Sequence, residues 1–471
     1  MTLPIKDKHS LRLLIVILSF IFVQHHYDLA ALCLHNVISK AAHDRRKKVR
    51  IRWSEVNERI SDKQFRKMFR MTRDCFKKLC ERIIKNIGER NFKSQAYIDN
   101  VLDVPIDYAI NRMETSMYQA HSKTSSGYIS GEIKLAITIR MLAGGDPYDL
   151  GVLFDISDKW CRQMFTYVLK NWIVDINLGE MDITSYLTDE KELDRVSKGF
   201  SKRSNGVLIG AIGAIDGWLV KIKRPSITKD NIKNIVGFFS RKGFYALNVQ
   251  CIVNHEKKVL WAKCNNRGSS HDSSSFRDSN LYNYLKSKSD TLFQHGYFIL
   301  GDSAYAVESF ILPPYDQPKK ESPEDNYNFY HSSARITVEC AFGEIDLRWG
   351  ILWKRLGFSL DNNMLIIEAA LHLHNYIVAY RNEANLTQED YNYERRLYID
   401  EVNDSGLFNN IVTNDNFLGD GGRPNNEERQ RRINGIALRD KLRESIKENK
   451  MVRRRKNDDI RCDVSNHILQ S

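Results

Sequence analysis

Two apolar runs that each close in a carboxylate constrain the fold of this chain more than any other feature. Val207–Asp216 ends in Gly213-Ala214-Ile215-Asp216-Gly217, and Tyr297–Gly301 is followed by Asp302. Short apolar runs bounded by Gly and polar residues read as buried strands. Trp218–Lys223 alternates, and Ala246–Val253 and Val259–Cys264 are rich in β-formers on either side of the turn at 254–258. Helical patterns follow near Phe276–Lys286, about Ser333–Trp353, and Met364–Tyr380. Strands succeeded by helices predict an α/β catalytic domain over 205–380.

The position of the acids points to chemistry. A carboxylate at the end of a buried strand is costly to desolvate without a cation beside it. Strand ends in α/β sheets are also where ligands usually sit. A third acid, Glu339, lies on the helix Ala334–Gly343, at the edge of a stripe formed by Val338, Phe342, Ile345 and Trp349. Gly343, one turn on, predicts a close approach of that helix to the sheet. Hard divalent cations such as Mg²⁺ take oxygen ligands, and two of them about 4 Å apart would activate water and stabilise a leaving oxygen in an in-line displacement. A fourth acid stands in Arg267-Gly268-Ser269-Ser270-His271-Asp272-Ser273. Asp272 is read as structural or supporting, by an Asx turn at the start of a helix, with a ligand role open. His271 is a candidate phosphate contact.

The rest of the chain adds context. A net charge of +12 and a pI of about 9.1 favour a polyanionic partner. Eight scattered cysteines without a CxxC pair read as reduced thiols. Residues 1–44 form an apolar leader; Leu13–Val23 has the look of a signal-peptide core, but is short for a membrane span and lacks a clear cleavage site, so a buried helix is preferred. The segment 45–200 is expected to be a helical, DNA-binding-like domain, with one helix from Phe65 to about Asn86. Within it, Tyr148–Phe154 and Asp158–Trp172, separated by a turn with Ser157 as N-cap, outline a helix-turn-helix. Residues 381–471 are expected to be a polar linker and a basic tail, in which 421–471 holds 14 Lys/Arg against 8 Asp/Glu. Arg453, Arg454, Arg455 and Lys456 read as a nuclear-import signal or a DNA tether. Lys221, Lys223, Arg224, Arg241, Lys242, Arg267 and Arg348 are candidate DNA contacts, the first six flanking the strands.

These blocks together resemble the PIF/Harbinger-type transposases and the nucleases derived from them, within the DDE superfamily. The resemblance runs from about Phe65 to Tyr380. It rests on Ala214-Ile215-Asp216-Gly217, Gly268 with His271-Asp272-Ser273, and Gly301-Asp302-Ser303-Ala304-Tyr305. It continues in Ala334-Arg335, Val338-Glu339-Cys340-Ala341-Phe342-Gly343, Arg348-Trp349 and Leu373-His374-Asn375-Tyr376. The 36 residues between Asp302 and Glu339 match the family spacing. The resemblance implies an RNase H-like mixed sheet with flanking helices, preceded by an all-helical region. It implies Asp216, Asp302 and Glu339 as catalytic ligands of Mg²⁺ or Mn²⁺. It also implies strand nicking by water, attack of a 3′-hydroxyl on target DNA, and a separate Myb/SANT-like DNA-binding partner.

Two positions depart from the family pattern. Ala304 replaces a glycine, which is acceptable only if the backbone there is not at positive φ. Asp346 stands where a basic residue is usual, which would weaken DNA binding if the position faces phosphate. The expected function is thus a nuclear metal-dependent DNA endonuclease or transposase, a possible homo-oligomer, with no small-molecule substrate. A domesticated DNA-binding or chromatin protein with weak or no catalysis is the alternative.

Overall fold

The computed structural model describes residues 53–91, 129–228, 230, 232–404, 426–449 and 451. The leader with Leu13–Val23 and the basic block 453–456 lie outside the described residues. In chain order the α-helices among the described residues before the sheet are α1 (Trp53–Arg59), α2 (Asp62–Phe69), α3 (Arg73–Asn91), α4 (Gly131–Leu142), α5 (Pro147–Leu153), α6 (Asp158–Val168), α7 (Ile183–Tyr186) and α8 (Glu190–Arg203). The next elements are β1 (Ala211–Lys221), β2 (Ala246–Val253), β3 (Val259–Arg267), α9 (Asp272–Arg277), α10 (Asn280–Ser287), α11 (Ser289–Gln294), β4 (Phe298–Leu300) and β5 (Ile311–Leu312). Among the described residues four long helices follow: α12 (Pro323–Arg348), α13 (Leu360–Glu383), α14 (Gln388–Asp404) and α15 (Asn426–Glu448).

The chain forms two compact units. One includes the described residues 53–61, 129–141 and 145–165; the other includes 62–90, 142–144 and the described residues from 166 onward. This division does not follow the expected boundary near residue 200. In the first unit, α5 and the greater part of α6, Asp158 to Phe165, are the helix pair expected from the sequence. Asp146 caps α5 by accepting from the Tyr148 N–H at 2.7 Å. Ser157 accepts from the Trp160 N–H at 3.2 Å. The turn between them passes through Asp155 at φ 52°, and a Cβ on Gly151 would meet the Ile156 carbonyl at 2.6 Å.

The second unit holds a five-stranded mixed sheet in the order β3-β2-β1-β4-β5. β1, β2 and β3 form an antiparallel meander, and β4 and β5 run parallel to β1. β2 is buried along its whole length, with Asn248 and Gln250 set among its β-branched and apolar residues. Helices flank the sheet: α8 and α12 pack on β1, and α13 packs on β3. In α12, Val338, Phe342, Ile345 and Trp349 are all buried, which supplies roughly 1.5–3 kcal/mol per side chain against the exposed state.

Three expectations are corrected. The helix expected over Phe65–Asn86 is two helices, because Arg70 sits at φ 59° between α2 and α3. The strand carrying Asp216 does not end there; β1 continues to Lys221, merging two runs that the sequence separates at Gly217. The polar linker and tail contain α14 and α15, which pack on α12. Leu397, Tyr398, Val402, Leu442 and Ile446 are buried among their charged neighbours, so a sparse apolar set suffices where ion pairs cover the remainder.

Candidate active site

The sheet register sets the first two acids side by side. β1 and β4 pair in parallel as far as Ala214 and Leu300. Asp216 and Asp302 each lie two residues beyond that last pair, so the same register carries them to one level past the end of β4. Asp216 is nonetheless held in place by pairing on its other side, opposite Cys251 of β2. The Asp302 carboxylate accepts from the Ala304 N–H at 3.0 Å, a short turn that fixes its direction. Ala304 is not among the residues at positive φ, so its methyl group is compatible with this backbone.

α12 brings the third acid through Arg335, a residue that stands in a sequence motif but was not expected in the site. The Arg335 guanidinium lies 3.0 Å from Asp216 Oδ2 and also bonds Glu339, one turn along the helix. Its side chain is 14% exposed, that of Asp216 is 17% and that of Glu339 is 42%. Arg335 therefore joins β1 to α12 from within, while Glu339 reaches solvent. The i, i+4 spacing of Arg335 and Glu339 puts both on one helix face.

Asp272 is the fourth acid. A helix does begin at this residue, but its N-cap is His271. The Asp272 carboxylate instead accepts from Asn248 Nδ2 at 2.9 Å and Gln250 Nε2 at 2.7 Å, both on β2. The phenol of Tyr305 donates to Gln250 Oε1 at 2.7 Å and completes the chain. A Cβ on Gly217 would stand 2.0 Å from Asp272 Oδ1, so only glycine lets β1 admit this carboxylate. The close approach expected at Gly343 is found here instead; Gly343 is exposed, and a methyl group added to it would have nothing within 4 Å.

Charge crowding dominates the electrostatics. Burial pushes the Asp216 carboxyl up to about 7; Arg335 opposes this, while Asp302, Asp272 and Glu339 add to it. Burial also raises Asp302, against Arg335 and the Ala304 N–H. Burial works against the charge of Arg335, but Asp216, Glu339 and Asp302 outweigh it and raise its pKa. Three carboxylates thus act on one guanidinium, and the charge of the fourth, Asp272, is felt at Asp216 and Asp302. Among the described residues no group of three His, Cys, Asp or Glu is close enough to hold a metal; Arg335 spans Asp216 and Glu339. The donor set is all oxygen and carries excess negative charge, which fits a hard divalent cation.

Of the candidate DNA contacts, Lys223, Arg224, Arg241, Lys242, Arg267 and His271 are exposed. Lys221 is half-buried, with its ammonium 5.2 Å from the centre of the Phe244 ring. Arg348 does not belong with them. It is 3% exposed, donates to the Arg70 carbonyl at 2.9 Å and lies over Tyr398, so burial removes it from any nucleic-acid face. Asp346 also departs from the expectation. Burial pushes its carboxyl up to about 7, against a hydrogen bond from Trp218 and the charge of Lys221. Its backbone carbonyl accepts from Trp353 Nε1 at 2.7 Å. Asp346 is thus an interior partner of Trp218, which stacks on Phe342, and not an acid set among phosphate contacts.

The DDE superfamily endonuclease model matches residues 215–375, from Ile215 on β1 to Asn375 on α13. This stretch of the chain is similar to the DDE superfamily endonucleases. It encloses Asp216, Asp272, Asp302, Arg335 and Glu339, so the acids drawn together by the sheet register and α12 lie within the matched domain. The mixed sheet with flanking helices is the RNase H-like architecture of that superfamily. The chain is also 23% identical over 299 residues to Protein ALP1-like of Arabidopsis thaliana, covering 58% of this chain and 68% of that protein. No solved structure matches.

Proposed function

We propose that this protein is a metal-dependent DNA endonuclease of the transposase type, with Asp216, Asp302 and Glu339 as its metal-holding carboxylates. The observation that carries this reading is the convergence of these acids, drawn from β1, the end of β4 and α12, on Arg335. Mg²⁺ or Mn²⁺ bound there would supply a polarised water and stabilise the leaving 3′ oxygen of a phosphodiester. The protein's own groups do the rest. Asn248, Gln250 and Tyr305 hold Asp272 in place behind the site. Arg335 balances part of the carboxylate charge when DNA phosphate approaches. Lys223, Arg224, Arg241, Lys242 and Arg267 offer exposed cations that bind phosphates and set the strand in register.

Joining of the freed 3′-hydroxyl to target DNA, work alongside a Myb/SANT-like DNA-binding protein, and action in the nucleus belong to the same proposal. The deciding experiment is nicking of supercoiled plasmid by the purified full-length chain with Mn²⁺, with Mg²⁺ and with chelator. Metal-dependent conversion to open circles is expected. Equal nicking in excess chelator would refute the metal mechanism, and no nicking under any condition would refute the enzymatic reading.

A further inference from the structure

Beside the acids stands a turn whose side chains no part of the proposed chemistry uses. Residues Val236–Phe238 form a single 3-10 turn between β1 and β2. Phe238 points inward and is 5% exposed, whereas Val236 is 77% and Phe239 46% exposed. Two large apolar side chains held outward next to a polar site need an explanation, because isolated apolar exposure is common but a fixed pair is less so.

The pair is firmly presented. Ser269 N–H donates to the Gly237 carbonyl at 3.0 Å, and Ser240 closes a tight loop through two bonds of 2.8 Å to the Phe244 carbonyl. Phe239 meets Tyr245 edge-on, with ring centres 5.2 Å apart. A Cβ on Gly268 would stand 2.8 Å from the Phe238 carbonyl, so the turn rests directly on the β3–α9 connection. That connection leads within four residues to Asp272, and Ser270 of the same loop accepts from Asn248. The turn is therefore tied to the backbone that carries the acid cluster.

Its surroundings are cationic. Lys233, Arg241, Lys242 and Arg267 are exposed around it. Among the described residues none of the four has a carboxylate ion-pair partner. A Cβ on Gly237 would touch Arg267 Cδ at 2.8 Å, and the charge of Arg241 is felt at Asp302. Apolar side chains ringed by free cations suit a ligand with an anionic backbone and flat, stackable faces. Nucleic acid is that ligand: cations take the phosphates, while apolar or aromatic groups enter an opened base step.

We propose that Val236 and Phe239 form a wedge that opens or stacks against a base step of DNA beside the scissile phosphate. The inference rests on the nuclease reading and adds to it a means of distorting the duplex. A wedge gains when part of the opening is already done, so it binds a duplex with a weakened step more tightly than a fully paired one.

The test compares a fluorescent fully paired duplex with the same duplex carrying one mismatch, bound by the full chain in Ca²⁺ to hold off cleavage. The wild type is expected to prefer the mismatched duplex by roughly tenfold, the scale of losing one base-stacking contact. The variant Val236→Ser/Phe239→Ser is expected to bind both alike, and Lys242→Ala to weaken both equally while keeping the preference. Equal binding by the wild type, or a preference retained in the double variant, overturns the wedge. If the double variant changes only self-association, the pair is a protein contact and the wedge fails. Plasmid nicking with Mn²⁺, measured in parallel, separates the two readings: nicking without mismatch preference sinks the wedge alone, while loss of both duplex binding and nicking from the wild type sinks both.

Discussion

Two acid-centred clusters sit five residues apart on α12, and they are built on opposite rules. Around Arg335, three carboxylates act on one cation and a fourth acts on two of them, Asp216 and Asp302 are pushed upward, and Glu339 is open to solvent. Around Glu344 the balance is reversed. Its side chain is 9% exposed, it pairs with Lys257 and with Arg381 at 3.5 Å, and Tyr391 donates to it at 2.7 Å. Burial alone would push Glu344 up, but Lys257 and Arg381 outweigh it and hold it at about 2. A buried acid with its countercharges supplied is structural cement. A group of acids short of countercharge invites an external cation.

The sharpest way to break this contrast is to remove one acid from each cluster. Asp302→Ala, Asp216→Ala and Glu339→Ala are each expected to lower Mn²⁺-dependent plasmid nicking by about 10³-fold or more, equivalent to roughly 4 kcal/mol of barrier. Their melting temperatures should stay level or rise, since like-charge crowding is relieved. Nicking by Asp302→Ala at the wild-type rate would dismiss the assignment. Glu344→Ala should do the reverse. It strands Lys257 in the interior and leaves Arg381 with Glu394 alone, at a cost of about 3–5 kcal/mol in urea unfolding. A loss below about 1 kcal/mol would show that the second cluster is not structural.

The clusters should also titrate in opposite directions. Glu344 falls from 4.5 to about 2 on folding, so its stabilisation is present above pH 4.5 and is lost as pH drops toward 2. Asp216 rises from 3.8 to about 7, so the protein holds that proton more tightly than the unfolded chain does. That contribution is present below pH 3.8 and is lost as pH climbs through about 7. In chelator, Asp216→Asn should flatten the decline in melting temperature between pH 4 and 7, and Glu344→Gln should flatten the acid limb below 4.5. Parallel curves for the two variants would mean that the clusters do not differ in charge balance.

The sequence revealed one cluster far better than the other, for a physical reason. Asp216 and Asp302 interrupt apolar runs, and a charged residue inside such a run stands out. The strand core, the helix carrying Glu339 and the overall α/β class followed from the same periodicity. Arg335 was visible only as part of a motif, because its role depends on a guanidinium reaching across to another element. Asn248 and Gln250 were hidden for the same reason, as polar residues on the fully buried β2 whose partner lies on a different segment. The ion-paired helices α14 and α15 were mistaken for linker and tail, since Glu394, Glu401 and Arg431 look solvent-bound until Arg381, Arg70 and Glu308 are placed opposite them. Arg348 looked like a phosphate contact until Arg70 and Tyr398 closed over it.

Gly343 separates the two clusters and gives the smallest, cleanest test of their independence. It lies between Glu339 and Glu344 on an exposed turn of α12, and a methyl group there would meet nothing within 4 Å. It is not at positive φ, so its backbone already suits an L-residue. Glycine in a helix interior costs roughly 0.5–1 kcal/mol relative to alanine, mostly through the freedom of the unfolded chain. Gly343→Ala should therefore raise stability by about that amount in urea unfolding and leave nicking unchanged. A stabilised protein with reduced nicking would mean that the helix must bend at Gly343 to work. The acid-rich end and the ion-paired end of α12 would then be mechanically coupled and not merely neighbours.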